Sequence, residues 1–426
     1  MSRAALRAAG RVLGAGAALT LLPVRGPAQA SGDAVLRAMR DELARSTTEL
    51  RLDTLPKPYF VAYRVEEIEH AEVSASLGSL LSSEEIRLRR LTVELRVGDY
   101  AFDNTNFFGM PGGPSGVLRG FGGAVSLPLD DDYREVRRQL WLATDAAYKA
   151  AVEDLGRKRA ALQGRVASEY VPDFSREERT SVRDEVAVPR PSRAAAESLV
   201  RDLSALFRHV PEVHRSVAEW QGGVVRTWYL NSEGTSFVRT WPWVGVHVRA
   251  STQAADGREL EDFVAARGAA PADLPGRAEL VTGVRELAAR LTRLRQAPLA
   301  EAYNGPILFE GQAAAELFHQ VFAPRLVSSR RPVSDHPMFD RFAEREENPF
   351  LDRVGGRVLP RFLSVTDDAT TRRAEGRALW GFRVDDDGVP AQATRVVERG
   401  ILRTLLTARV PVRGHPRSTG NRWGDG

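Results

Sequence analysis

The stretch EGQAAAELFHQVFAPRL, from Glu310 to Leu326, places side chains that could bind a metal on a predicted helix. At about 100° per residue, His319 lies beside Glu316, one turn earlier, and away from the centre of the apolar stripe. A buried core histidine is therefore not the natural interpretation, and His319 is either a surface residue or part of a site. The stripe is formed by Ala314, Leu317, Phe318, Val321 and Phe322.

The residues next to His319 decide whether zinc could hydrolyse a bond here. Such chemistry needs about three protein ligands, an open position for water and a base that takes the water's proton. Gln320 cannot be that base, because its amide does not titrate near neutral pH. Pro324 has no metal-binding side chain and tends to end the helix. One imidazole alone would hold zinc too weakly to matter, so we assign no catalytic residue.

Other residues could rebuild a metal site around His319. His336 in SDHPMFD and His415 in RGHPR lie in irregular segments that could approach it, and Glu316 offers a carboxylate. The chain has no cysteine, so thiolate metal sites and disulfides are excluded. The sequence leaves two hypotheses, a vestigial and solvated His319 or a site rebuilt with ligands from among these three residues.

Aromatic residues crowd a predicted hairpin, WYLNSEGTSFVRTWPWVGV. Packing in the core is one interpretation. The other is a sheet edge that takes an extended peptide as an added strand. The candidate peptide-binding residues are Trp228, Tyr229, Asn231 and Trp241.

Two further motifs favour plain structural roles. Asp385-Asp386-Asp387-Gly388 lacks the glutamate that closes a calcium loop and has predicted strands on both sides, so we predict a charged hairpin turn. The stretch GMPGGPSGVLRGFGG has no helix opening from it and no Lys-Ser/Thr pair, so a surface loop is favoured over a phosphate cradle.

Apolar periodicity predicts an α+β protein in which helices pack on antiparallel sheets. Helices are expected over 32–50, 132–162, 192–207 and 281–296, and strands over 59–67, 90–102, 224–230 and 235–250. A late pair of hairpins is expected over 378–410. We place a domain boundary after Pro298, which gives an N-terminal domain over 31–298 and a strand-rich C-terminal domain over 299–426.

Charge and the N-terminus bear on partners and location. The formal charge of +4 comes from arginines interleaved with acids, not from a basic stripe, which argues against nucleic-acid binding. Residues 1–30 predict an export signal that ends in Ala28-Gln29-Ala30, so the mature chain would start near Ser31, in the periplasm or outside the cell. No apolar run is long enough for a stable membrane anchor.

Several motifs together resemble the TldD/PmbA family of metallopeptidases, long labelled modulators of DNA gyrase. They are YNGPILFEGQAAAEL, LNSEGT and VDDDGVPAQATRVVERGILRTLLTARVPVRGHPRSTGN. In active members this helix carries a His-Glu pair, a second histidine five positions after the first, and a distant cysteine as third ligand. By that resemblance His319 matches, Gln320 replaces the glutamate and Pro324 replaces the second histidine. The family would continue through further strands after Gly426, so the C-terminal domain is expected to be incomplete.

The resemblance also implies what the protein does. It implies zinc in the family, a dimer with itself or with an active paralogue around an enclosed cavity, and extended peptides or unfolded segments as ligands. Because the metal motif is degenerate, our first hypothesis is an exported, non-catalytic subunit. The alternatives are a stand-alone peptide-binding protein and an active metallopeptidase with a rebuilt metal site.

Overall fold

A computed structural model describes residues 27–108, 124–163, 170–188, 192–336 and 348–424. Most of the export-signal prediction and the whole glycine-rich stretch at 109–123 lie outside the described residues. Helices α1 to α5 span Pro27–Glu49, Tyr133–Leu162, Arg193–Ala205, Arg277–Gln296 and Gly311–Val321. Strands β1 to β8 span Pro58–Ser76, Ser79–Val97, Phe107–Phe108, Val125–Leu127, Ser181–Asp184, Arg215–Asn231, Ser236–Gln253 and Glu259–Gly268.

A seven-stranded sheet organises the molecule. Its order is β4-β2-β1-β6-β7-β5, and β8 pairs with β7. The pairings are antiparallel except for the parallel pair of β5 and β7. The fold class is therefore α+β, as predicted.

The first hairpin is longer than the sequence predicted. Strands β1 and β2 have 19 residues each and stay paired through the Ser- and Ala-rich segment that we expected to separate two short strands. The turn between them places Leu77 and Gly78 at positive φ, the backbone that a two-residue hairpin turn needs. Strands of this length give the sheet room for two pairs of helices.

Both helix pairs cover the same face of the sheet. One hydrophobic cluster joins α1 and α2 to one end of the long strands, and a second joins α3 and α4 to the other end. In β1 the buried residues of both clusters are odd-numbered, such as Val61 and Val73, and alternate residues of a strand share a face. On the opposite face, Phe60 and Tyr229 pack against Phe174 and Val384.

Local signals explain where the helices begin. The Asp132 side chain accepts a hydrogen bond from the backbone N–H of Glu135 at the start of α2, and Ser192 caps α3 in the same way. These caps and the apolar periodicity predicted the helices correctly to within a few residues. The described helices include none that is long and apolar enough to cross a membrane.

The C-terminal part has short strands joined by irregular chain. Strand β9 is Val333–Ser334, and β10 to β14 span Val365–Asp368, Arg373–Ala374, Arg377–Ala378, Ala393–Glu398 and Ile401–Leu402. The hairpin of β13 and β14 turns at Arg399 and Gly400, both at positive φ. The domain boundary after Pro298 stays a prediction, and residues 297–310 form neither helix nor strand.

The first strand of the predicted late hairpins is wrong. Of residues 378–384, only Ala378 belongs to a strand. The backbone N–H of Phe382 donates to the carbonyl oxygen of Ala369, and that of Arg383 donates to the Asp184 carboxylate. This segment is therefore held by isolated hydrogen bonds to its neighbours and does not form the paired backbone hydrogen bonds of a β-strand.

Candidate functional site

Helix α5 presents His319 to solvent. The side chain of His319 is exposed, and no residue of this helix is buried. The predicted stripe is also largely exposed, with Leu317, Phe318 and Val321 at 42%, 40% and 53%. Its last member, Phe322, is partly buried, and its ring lies 5.6 Å from that of Phe350.

The two positions after His319 have structural roles on the helix. The side-chain amide Nε2 of Gln320 lies 2.5 Å from Oε1 of Glu316 and donates a hydrogen bond to it. Helix α5 ends at Val321, and Pro324 lies in the 3₁₀ turn Ala323–Leu326 that follows. Proline ends the helix where a second ligand would have to project, as its chemistry predicts.

The candidate ligands of a rebuilt site do not form a three-ligand group with His319. The ring nitrogen Nδ1 of His415 lies 3.3 Å from the hydroxyl of Thr404, and burial lowers the pKa of this histidine. The backbone N–H of His336 donates to the Ser334 hydroxyl. Within the described ranges, no group of three or more His, Asp or Glu side chains is placed to hold a metal ion.

This donor set does not fit a catalytic zinc ion. Glu316 is already the acceptor of the Gln320 amide, Gln320 cannot take a proton from water, and Pro324 offers no ligand. His319 is the member of the resemblance pattern that remains. We therefore derive no step of a reaction through a metal at this helix.

The predicted peptide-binding residues are mostly buried. Trp228, Tyr229 and Asn231 are 2%, 4% and 2% exposed, and the Asn231 side-chain oxygen accepts hydrogen bonds from Glu233 and Thr235 within the turn. Trp241 is half-buried, so of these four residues it is the one with appreciable solvent-accessible surface. Its ring centroid lies 3.9 Å from that of Trp423.

The sheet-edge part of that prediction is wrong. Strand β6 is hydrogen-bonded on both sides, to β1 and to β7, and β7 is bonded to β6, β5 and β8. No peptide can add a strand between them, because their backbone groups are already paired. A peptide-binding role of the four residues stays a prediction.

The sequence missed a buried charged cluster around the three aspartates. Asp385, Asp386 and Asp387 lie in a turn, as predicted, but they are 0%, 4% and 6% exposed, and this burial was not predicted from the sequence. The guanidinium of Arg239 lies 2.5 Å from the carboxylate of Asp386, and Arg422 pairs with Asp387. The turn thus fastens the C-terminal segment to β7 of the sheet.

Asp385 is the member of this cluster without a cationic side-chain partner among the described residues. Its carboxylate accepts hydrogen bonds from the backbone N–H groups of Asp387 and Val389, both at 2.9 Å. Burial and the nearby Asp387 carboxylate raise the pKa of Asp385 to about 7. Three consecutive aspartates between apolar strands could have indicated this cluster in the sequence. Adjacent carboxylates repel one another, and pairing with arginines reduces that repulsion.

Known proteins resemble this chain in sequence and in fold. A family model described as the PmbA/TldA metallopeptidase C-terminal domain matches residues 302–423. A metalloprotease of Methanocaldococcus jannaschii is 37% identical over 65 residues, which is 15% of this chain and 14% of that protein. The chain therefore matches only a small part of the length of that relative.

Solved structures match over most of the described fold. A modulator of a DNA gyrase from Thermotoga maritima has a TM-score of 0.57 at 14% identity, with 93% of this chain and 75% of that chain covered. TldE from Thermococcus kodakarensis has a TM-score of 0.54 at 14% identity, with coverages of 91% and 73%. A modulator of DNA gyrase from Bacteroides thetaiotaomicron has a TM-score of 0.58 at 10% identity, with coverages of 92% and 75%.

Proposed function

Because this chain belongs to the TldD/PmbA family of metallopeptidase-like proteins, we propose that it is a non-catalytic subunit that handles extended peptides. The observation that carries the proposal is the donor set on α5. His319 has a glutamine beside it that is bonded to Glu316, and a proline where a second ligand would stand.

The proposal includes a partner and a location. The partner is a second copy of this chain or an active paralogue, and the subunit works outside the cytoplasm after export. The basis for export is the basic, apolar and small-residue pattern of residues 1–30. Expression with this leader should give a mature N-terminus near Ser31, read by N-terminal sequencing, whereas an uncleaved chain in the cytoplasm would remove this part of the proposal.

A cleavage assay separates the proposed subunit from an active peptidase. The purified chain alone is mixed with a quenched fluorescent peptide, with and without a zinc chelator. We expect no chelator-sensitive cleavage, because Gln320 supplies no base for the attacking water. The matched variant is His319→Ala, which should leave the signal unchanged.

The opposite result would be equally clear. Chelator-sensitive cleavage by the chain alone, abolished in His319→Ala, would mean that a metal site is rebuilt around this histidine. The proposal of a non-catalytic subunit would then be abandoned in favour of an active metallopeptidase.

A further inference from the structure

A cleft of about 150 Å³ opens near the N-terminus of α3, where helix and strands meet. Its lining includes Ala71, Val73, Trp220 and Val244, which belong to the cluster under α3 and α4. A cavity of about this size holds a group as large as one benzene ring, whereas pockets for whole ligands measure about 300–1,000 Å³. The cleft therefore suits one side chain of a larger molecule.

Two adjacent glycines in β6 make room for aromatic rings beside this cleft, one on each face of the sheet. A Cβ atom on Gly222 would lie 2.7 Å from Cη2 of Trp220, and one on Gly223 would lie 2.6 Å from Cη2 of Trp243. Any larger residue would push these rings away from the strand. Trp220 lies with Val73 and Val244 on the helix-covered face of the sheet, and an indole face attracts cations.

Acidic side chains at the cleft add to this preference. Glu69 and Glu85 line it. Glu85 is exposed, and its carboxylate has no hydrogen bond or ion pair with any other described residue. Glu69 lies 3.8 Å from Nε of Arg87. An incoming cation would therefore share the Glu69 carboxylate with Arg87, whereas the Glu85 carboxylate has no ion-pair partner among the described residues.

The basic residue of the lining is held by other partners. Arg193 donates from Nε to the Ser83 hydroxyl at 2.7 Å and also donates to the Ser83 carbonyl oxygen. The same Nε lies 3.4 Å from the carboxylate of Glu197. Its charge is therefore partly balanced, and it does not occupy Glu85.

A buried nitrogen at the cleft also lacks a partner. His70 lines the cleft, and its Nδ1 is buried without a hydrogen bond to any described residue. Its Nε2 lies 3.6 Å from a carboxylate oxygen of Glu72. Since Nδ1 is buried, and His70 points to the face of the sheet opposite Glu69, this nitrogen takes no part in binding an incoming cation.

We propose that this cleft binds the basic side chain of an arginine or lysine carried by an extended peptide. The apolar floor and the Trp220 indole contact the aliphatic stem, and Glu85 and Glu69 attract the charged end. This inference rests on the proposed peptide-handling function and names the side chain that the subunit selects.

A binding experiment on the full chain tests the selection. Two labelled extended peptides without other charged side chains differ at one central residue, arginine in one and its neutral isostere citrulline in the other. We expect the arginine peptide to bind roughly fivefold or more tightly by fluorescence anisotropy, the ratio that one partly exposed charge contact can give. Glu85→Gln should remove this preference.

A neighbouring glutamate provides the matched control. Glu84 is exposed like Glu85, but successive side chains of a strand point to opposite faces of the sheet, so Glu84→Gln removes the same charge away from the cleft. This variant should keep the preference. Loss of the preference in both variants would show a long-range charge effect and overturn the proposed cleft.

The remaining outcomes distinguish the cleft from peptide handling. Equal binding of both peptides would overturn the cleft and leave peptide handling in place. If neither peptide binds, n-butylguanidinium is titrated by isothermal calorimetry. Binding to wild type and Glu84→Gln but not to Glu85→Gln would support the cleft and overturn peptide handling. No binding to any of them would overturn both.

Discussion

Among single residues, we expect Asp385 to make the stability of the fold most dependent on pH. Burial and the Asp387 carboxylate raise its pKa to about 7, from an unperturbed 3.8. A carboxyl group whose folded-state pKa is raised stabilises the fold below the unfolded pKa and loses this contribution as the pH rises through the folded pKa. Its contribution should therefore fall between about pH 4 and pH 7.

The substitution Asp385→Asn tests this expectation. Asparagine keeps an oxygen that can accept from the N–H groups of Asp387 and Val389, but it does not ionise. The variant should gain stability relative to wild type as the pH rises from 5 to 8, by at most about 3 kcal/mol. Urea unfolding at both pH values measures the difference. An unchanged difference would contradict the raised pKa.

Single residues also show which parts of the site the sequence could predict. Gln320 and Pro324 could be interpreted from their chemistry alone, because an amide and a proline lack the needed groups in any fold. The burial of Asp385 could not, since it depends on Arg239 and Arg422 from distant parts of the chain. That the Glu85 carboxylate has no hydrogen bond or ion pair with other described residues depends on the fold in the same way.

At the scale of elements, helix α2 has two lysines in opposite environments. Lys158 is 1% exposed, and its ammonium lies 2.6 Å from the carboxylate of Asp173. It also donates to the carbonyl oxygens of Asp103 and Thr105. Lys149 on the same helix pairs with Asp145 at the surface.

The paired variants Lys158→Met and Lys149→Met test this difference. Removal of the Lys158 ammonium leaves Asp173 buried with one fewer cation, so the free energy of unfolding should fall by about 3 kcal/mol. The Lys149 change should cost less than about 0.5 kcal/mol, because exposed ion pairs contribute little. Chemical denaturation of both variants gives the comparison, and equal losses would contradict the structural role of Lys158.

Elements differ in how well the sequence predicts them. Helix α2 combines an aspartate cap with apolar residues at helical spacing, so its limits could be predicted from local signals. The full length of β1 and β2 could not, because polar residues between Ile68 and Leu88 read as a loop when their cross-strand partners are unknown. The predicted edge position of β6 and β7 was wrong because the strands that pair with them could not be identified from the sequence.

At the scale of the whole molecule, one sheet joins the two parts of the chain. Its helix-covered face holds α1 to α4, and its opposite face meets the C-terminal segment through Val384 and the contact of Arg239 with Asp386. Helix α5 stands apart from this core with no buried residue. The position of His319 on an exposed helix follows from this arrangement.

The zinc content of the purified chain decides between a non-catalytic subunit and a rebuilt metal site. It is measured by mass spectrometry of the metal after removal of loosely bound ions, for wild type and for His319→Ala. We expect the same background in both, because one exposed imidazole without two further ligands holds zinc weakly. Near one equivalent of zinc in wild type, lost in His319→Ala, would contradict the non-catalytic assignment and indicate a rebuilt metal site.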